Sequence, residues 1–291
     1  MVEESEPVRS PLRIVLTFLF VVIVPLAIGL YAAPRLVPQP KIGIIRLSYD
    51  IFGETAFEIT EQLAYAREDT AVKAVVLVIN SPGGSAAYSE ELYLDVLNTR
   101  AEMPVVATID LVAASGAYYM AAAADKIYAK PTSSVGSIGV ISFLPGAVFI
   151  EEELLTTGPY KSFGGTRDGS VRQIERAKLA FLEAVRNGRG EALVIADEDL
   201  SRAEVYTGVQ AFEFGLIDGL RSNDEAIQEA AELAGLSDYE VVELYPLVFD
   251  DTQGALVTYQ PPAIDVERLW APPSNLPPGL YYRYVDLPSN R

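Results

Sequence analysis

Residues 74–84 read AVVLVINSPGG. Ala74 to Ile79 is an unbroken apolar run, rich in valine and isoleucine. Branching at Cβ favours extended backbone. The absence of polar alternation means that both faces are covered, as in a parallel sheet between helices. The run stops at Asn80-Ser81-Pro82-Gly83-Gly84, a proline and paired glycines. In parallel α/β sheets ligands bind beyond the carboxyl ends of the strands. Glycines there let backbone N–H groups approach a ligand with no Cβ in the way. The stretch is read either as an oxyanion hole or anion nest, or as an ordinary turn. It is not a P-loop, because no Gly-Lys-Ser/Thr follows.

The same alternation extends on both sides. Strands are expected at 42–47 and 105–109, the latter opened by Pro104, with a short one between Lys126 and Lys130. Helices are expected at 55–67, 88–97 and 115–124, then at 171–185 (ended by Asn187-Gly188), 203–214 and 224–234, before a strand at 240–244. Strand–helix alternation predicts a parallel α/β sheet with right-handed crossovers.

Composition removes whole classes of chemistry. The chain has 291 residues, 40 Asp and Glu against 22 Lys and Arg, no His and no Cys. A net charge of -18 leaves no basic stripe for a phosphate backbone, so no nucleic-acid partner is expected. Without Cys there is no thiolate nucleophile, disulfide or iron–sulfur cluster; without His there is no Ser-His-Asp triad. No cofactor or metal is expected. A base must be Asp, Glu, Lys or Tyr. A negative surface poor in lysine is also the pattern of a salt-adapted host.

Residues 14–33 (IVLTFLFVVIVPLAIGLYAA) carry no charge. At 1.5 Å per residue, twenty residues reach roughly 30 Å, the hydrocarbon thickness of a bilayer. No A-x-A cleavage site follows and Pro34 stands where cleavage would fall, so an uncleaved anchor is expected. Arg9 and Arg13 precede the span while Arg35 and Lys41 follow it, so flanking cations do not decide its direction. The orientation adopted puts the short N-terminus inside and the large domain on the extracytoplasmic side. The expected organisation is a short segment 1–13, an anchor 14–33, a linker 34–40, a catalytic domain 41–247 and a Pro/Tyr-rich tail 248–291. The tail is read as an extended segment lying over the domain or a partner.

A second glycine-bearing stretch, Ala113-Ala114-Ser115-Gly116-Ala117-Tyr118-Tyr119, also follows a strand. Serine there has a plain explanation as a helix N-cap. The small residues around it instead leave room to approach the hydroxyl, and the helix dipole favours negative charge beside it. The N–H groups of Gly116 and Gly84 could together hold an oxyanion. A serine nucleophile still needs a base. A lysine serves only when neutral, which requires its ordinary pKa of ~10.4 to fall by about three units, about 4 kcal/mol of differential solvation. Six lysines are available: Lys41, Lys73, Lys126, Lys130, Lys161 and Lys178. Lys161, in a loop without neighbouring acids, is one candidate; spacing alone does not choose it.

The chain resembles the signal peptide peptidase A (SppA) family of membrane-anchored Ser–Lys peptidases. The likeness runs from about Lys41 to Leu244 through five ordered motifs. Asn80-Ser81-Pro82-Gly83-Gly84 resembles the oxyanion loop, and Ala114-Ser115-Gly116-Ala117-Tyr118-Tyr119 the nucleophile segment. Ser133-Ser134-Val135-Gly136-Ser137-Ile138-Gly139-Val140 resembles the stretch with a second serine, and Thr157-Gly158-Pro159-Tyr160-Lys161-Ser162 the lysine loop. Val205-Tyr206-Thr207-Gly208, Ala211 and Gly215-Leu216-Ile217-Asp218 resemble a structural signature.

The resemblance implies an α/β fold, the ClpP/crotonase-like spiral of β-β-α units, preceded by one N-terminal transmembrane helix. It implies Ser115 as nucleophile, Lys161 as general base, Ser137 as the residue orienting Lys161, and Gly84 and Gly116 as oxyanion donors. It implies a homo-oligomer on the membrane, with serine and lysine meeting across a subunit boundary. The expected substrates are remnant signal peptides or similar apolar peptides. The chain departs from the family at Ala117, where a second glycine is common. The alternatives are a Ser–Lys peptidase acting on a membrane partner such as a stomatin-like protein, an acyl-CoA enzyme of the crotonase type, and an inactive peptide-binding scaffold. A CoA site and a suitable acid–base carboxylate are not evident in the sequence.

Overall fold

The computed structural model describes residues 11–36, 39–143, 157–158, 160–161, 164–249 and 279–283. It divides into two compact units, residues 1–40 and 41–291. In the first, α1 (Pro11–Phe18) leads into a π-helical turn (Leu19–Ile23) and then α2 (Val24–Leu36). Pro25 accounts for the turn. Proline has no N–H to donate to residue 21 and its ring crowds that carbonyl, so the backbone widens before it. The single helix expected over 14–33 is thus divided. Among the described residues no helix is long and apolar enough to cross a membrane. The apolar side chains of Phe18, Phe20, Val21, Leu26, Ile28 and Leu30 are exposed.

The second unit begins with β1 (Lys41–Leu47), α3 (Gly53–Glu68), β2 (Val72–Ser81), β3 (Gly83–Ser85), α4 (Ala86–Arg100) and β4 (Val105–Ala114). Then come α5 (Gly116–Ala121), β5 (Lys126–Ala129), β6 (Ser134–Gly136), β7 (Ile141–Phe143) and α6 (Arg167–Arg189). After α7 (Asp197–Leu200) follow β8 (Val205–Thr207), α8 (Gly208–Glu213), β9 (Gly219–Leu220), α9 (Asn223–Leu233), β10 (Glu240–Glu243) and α10 (Tyr245–Val248). Near the C-terminus lies β11 (Gly279–Arg283).

The main sheet runs β10-β1-β2-β4-β5-β9, and these neighbours pair in parallel. This is a mixed α/β arrangement consistent with a ClpP-like fold. The unbroken run in β2 is explained by burial on both faces. Val75, Leu77 and Ile79 point into a core with Ile59 and Leu63 of α3, Leu92 of α4, Tyr118 of α5 and Phe181 of α6. Ala74, Val76 and Val78 face Ala226, Ala230 and Ala231 of α9. The alanines recur at helical spacing, so α9 lies close on the strands. Each fully buried Val, Leu or Ile contributes about 1.5–3 kcal/mol.

Two expected helices differ. Asn187-Gly188 does not end α6, which continues to Arg189 and stops at Gly190 with φ 51°. Gly188 is needed inside the helix, since a Cβ there would lie 1.9 Å from the carbonyl oxygen of Ala122. The stretch 203–214 is divided too: β8 precedes α8, and Thr207 with Gln210 forms a capping box between them.

Gly279–Arg283 pairs antiparallel with β3 and with β7, giving a second sheet β3-β11-β7. The rest of 250–291 lies outside the described residues.

An ion pair joins α6 to the signature at 215–218. The Arg189 guanidinium is buried and donates to Asp218 Oδ2 at 2.8 Å and to the Gly215 carbonyl at 2.9 Å. Asp218 also accepts from the Ile127 N–H at 2.8 Å. Burial pushes the Asp218 carboxyl up, but Arg189 and the Ile127 N–H hold it below its ordinary value overall. Asp218→Asn leaves a buried guanidinium uncompensated and should lower stability at pH 7 by roughly 3 kcal/mol. A depressed carboxyl stabilises fully above its unfolded pKa and loses that effect as pH falls through the folded value. The gap between wild type and variant should therefore hold down to about pH 4 and close below it in urea titrations. A gap unchanged in acid would contradict the assignment.

Candidate active site

The site forms where β4 changes partners. Along one edge, β4 pairs with β2. Ile79 lies opposite Ile109, but the next pair is Ser81 with Ala113, so extra residues bulge out of β4 at Asp110–Val112. Along the other edge, Val106–Ile109 pair with β5 and Val112–Ala114 with β6. The turn between β5 and β6 is fixed at the bulge. The Ser133 hydroxyl donates to the Asp110 carbonyl at 2.8 Å and accepts the Lys130 N–H at 3.1 Å. The Lys130 ammonium donates to Asp110 Oδ1 at 2.7 Å, and the Asn223 amide donates to the same oxygen at 2.9 Å.

Ser115 follows immediately, between β4 and α5, at φ 55° and ψ -125°. Such a backbone is uncommon for a residue with a Cβ and costs of order 1–3 kcal/mol. Hydrogen bonds hold it there. Its N–H donates to the Gly136 carbonyl at 2.8 Å, and its carbonyl accepts from Tyr119 N–H at 2.9 Å. The side chain is 1% exposed. Its hydroxyl makes no cap bond to the helix and has no hydrogen-bond partner among the described residues. The N-cap explanation is therefore wrong for this serine.

The neighbouring strand brings Ser137 alongside. Ala114 pairs with Gly136, and Ser137 follows at φ 52° with its N–H donating to the Glu204 carbonyl at 2.8 Å. Gly84 lies in β3, just after β2, and bridges Ile51 in parallel. The Ile51 N–H donates to the Gly83 carbonyl at 2.9 Å and the Ser85 N–H to the Ile51 carbonyl at 2.8 Å. Strand alternation then points the N–H and C=O of Gly84 away from Ile51. A Cβ on Gly84 would meet the Ile51 oxygen at 2.1 Å, so glycine is required by close approach. Gly116 opens α5, where the N–H has no partner within the helix. Strand β3 and helix α5 approach within 8 Å between Cα atoms.

Lys161 stands apart. It is exposed, in a turn where its N–H donates to the Gly158 carbonyl at 3.2 Å. Among the described residues no hydrogen bond or ion pair joins its ammonium group to Ser115 or Ser137. The structure thus gathers Ser115, Ser137, Gly84 and Gly116 at one end of the sheet, and does not bring Lys161 to them. Three other lysines are engaged elsewhere: Lys41 with Asp69, Lys126 with Asp218 and Lys130 with Asp110. Burial pushes the Tyr119 phenol up to about 12, helped by Glu90 and Tyr93, which keeps it protonated.

Some contributors were not read from the sequence. The Ser81 hydroxyl accepts the Gly83 N–H at 3.1 Å and so shapes the glycine loop. The Gly136 carbonyl anchors Ser115. Asn80 is 2% exposed, and its amide has no partner among the described residues. A polar residue ending a fully apolar strand was the available signal. The alanines at 113, 114 and 117 are fully buried. Their small size serves packing between β4 and α5 rather than opening room above the hydroxyl.

A parallel α/β sheet with a serine on a strained strand-to-helix turn defines a ClpP-like protein of the serine-hydrolase kind. The Clp protease family model matches residues 40–135, and the peptidase family S49 model matches residues 98–237. The chain is 34% identical over 191 residues to "Putative protease slr0021" of Synechocystis sp., covering 61% of this chain and 68% of that protein. It is 32% identical over 223 residues to "Protease 4" of Salmonella typhi, covering 70% and 36%. It is 32% identical over 198 residues to "Putative signal peptide peptidase SppA" of Enterococcus faecium, covering 62% and 57%. The chain belongs to peptidase family S49, the SppA family of serine peptidases. It spans only 36% and 57% of the lengths of the Salmonella and Enterococcus proteins.

Strain at Ser115 has a measurable signature. Ser115→Ala keeps the Cβ at positive φ, whereas Ser115→Gly removes it. The glycine variant should be the more stable by about 1 kcal/mol in urea denaturation. Equal stabilities would mean that the turn is not strained.

Proposed function

We propose that the chain is a peptidase with a Ser115–Lys161 dyad, cutting remnant signal peptides or similar apolar peptides at a membrane surface. The observation that carries this reading is the Ser115 hydroxyl, which is held on a strained turn, buried, and without a hydrogen-bond partner among the described residues. Neutral Lys161 removes the hydroxyl proton as Oγ attacks the peptide carbonyl carbon. The N–H groups of Gly84 and Gly116 hold the oxyanion, and Ser137 orients Lys161. The lysine ammonium then gives its proton to the leaving amine as the C–N bond breaks. Lys161 then deprotonates a water, whose oxygen attacks the ester carbonyl, and as the C–O bond to Ser115 breaks the lysine ammonium returns the proton to the serine oxygen.

The exposure of Lys161 supports an oligomeric site. A lysine acts as base only when desolvated. In the single chain its surface faces solvent, so we read the apolar cover as coming from a second copy, with serine and lysine meeting across the boundary. The partner change along β4 favours the β-β-α spiral of the ClpP/crotonase type. The exposed apolar side chains of α1, the π turn and α2 favour an N-terminal membrane anchor, interrupted at Pro25; the extracytoplasmic placement of the catalytic domain is the orientation adopted from the sequence.

Ser115→Ala and Lys161→Ala should each lower kcat/KM for a synthetic signal peptide by about a thousandfold or more, with folding retained. Lys161→Arg should not rescue, because a guanidinium does not give up its proton. Wild-type kcat/KM should rise with pH as the base loses its proton; a flat profile from about pH 6 to about pH 10 would contradict a neutral lysine. For the anchor, the full chain should stay with membranes through alkaline carbonate washing, while a chain starting at Lys41 should be released. Release of both would remove the anchor.

A further inference from the structure

The strand β11 lies where a peptide would have to bind. It is the middle strand of the sheet β3-β11-β7, paired with β7 over its first three residues and with β3 over its last three, with Tyr281 common to both. On one side Tyr281, Tyr282 and Arg283 lie opposite Ser85, Gly84 and Gly83. On the other, Gly279, Leu280 and Tyr281 lie opposite Phe143, Ser142 and Ile141. Strand β3 is the glycine loop itself. The Gly84 N–H points away from Ile51, toward the edge that β11 occupies, and Tyr282 is the residue in register with it. Strand β11 also approaches helix α5, which starts at Gly116 beside Ser115, within 8 Å between Cα atoms.

We propose that residues 279–283 are a built-in occupant of the peptide cleft, a displaceable strand that competes with substrate for the edges of β3 and β7. The proposal rests on the reading of Gly84 and Ser115 given above. An extended peptide is recognised by adding a strand to an open sheet edge, where main-chain hydrogen bonds supply most of the affinity. Here two edges face one gap, and the chain's own C-terminal segment fills it in antiparallel register. Because the occupant is tethered, it competes at an effective concentration in the millimolar range. About thirty residues separate α10 from β11, with an extended reach of roughly 100 Å, so the strand can leave without disturbing the main sheet. Substrate entry then requires withdrawal of β11, and the protein is least active on dilute peptides.

The test compares full chain with Tyr282→Pro, both in detergent. Proline has no N–H and is not accommodated in a middle strand. A second variant ends the chain after Pro278. Hydrogen exchange is followed at Gly83–Ser85 and Ile141–Phe143, and hydrolysis of a synthetic signal peptide is measured alongside. Both variants are expected to lose amide protection in the two segments and to show an apparent KM about tenfold lower with little change in kcat. A synthetic peptide of residues 276–287 should inhibit both variants competitively. Unchanged protection and unchanged KM would overturn the proposal, as would lost protection with an unchanged KM. If neither wild type nor variant hydrolyses any peptide, the proposed peptidase function fails instead, and hydrogen exchange alone still decides whether β11 docks.

Discussion

The site depends on the hydrogen bonding of β4 up to its last residue. One edge stays with β2 through a bulge, while the other passes from β5 to β6. The ladder ends at the pair Ala114–Gly136, and the next hydrogen bond on that edge is the Ser115 N–H to the Gly136 carbonyl. That bond places Ser115 in a backbone conformation that serine does not adopt unaided. It also brings Ser137 beside it. Polar contacts at the bulge hold the switch in place, notably Ser133, Lys130 and Asn223 gathered on Asp110. A rigid strand rather than a flexible loop therefore positions Ser115, as a site needing sub-ångström placement requires.

The rest of the domain supports that strand. Helix α5 lies deep in the core; Tyr118 donates to the Leu216 carbonyl at 2.7 Å, and Tyr119 stacks on Phe181 of α6. Leu216 belongs to the same short segment as Asp218, which Arg189 holds. The signature at 215–218 therefore bears on the site indirectly: it clamps the helix next to Ser115, whose first-turn N–H groups have no partner within the helix. Gly188 contributes by letting α6 approach the end of α5, backbone to backbone.

Much of this was legible in the sequence where one residue type answers one physical demand. The apolar run 74–79 required burial on both faces, and β2 has it. The paired glycines after it were read as letting N–H groups approach a ligand or as an ordinary turn; the close approach of the Ile51 backbone to Gly84 was not foreseen. The short strands β3, β6, β8 and β9 carry too few residues for any periodicity, so the partner switch that creates the site was invisible. Gly188 looked like a helix stop because close packing and helix termination select the same residue. The smallness of Ala113, Ala114 and Ala117 looked like open space for a similar reason. Pro25, inside the uncharged run, accompanies a π turn that divides the apolar helix. For Lys161, sequence offered only a loop without neighbouring acids and the resemblance. The fold narrows the choice, since Lys41, Lys73 and Lys126 lie at the amino ends of strands, whereas Ser115 follows the carboxyl end of β4, and Lys130 is tied to Asp110.

The central claim is a serine and a lysine that meet between copies of this chain. Subunit mixing tests it most directly. Ser115→Ala and Lys161→Ala chains, each inactive alone, are dissociated, combined in equal amounts and reassembled. With random mixing, about a quarter of the boundaries join an intact serine to an intact lysine, so the mixture should recover about a quarter of wild-type activity. If wild type recovers through the same procedure and the mixture stays inactive, the two residues do not meet across a boundary, and the account of the site is wrong.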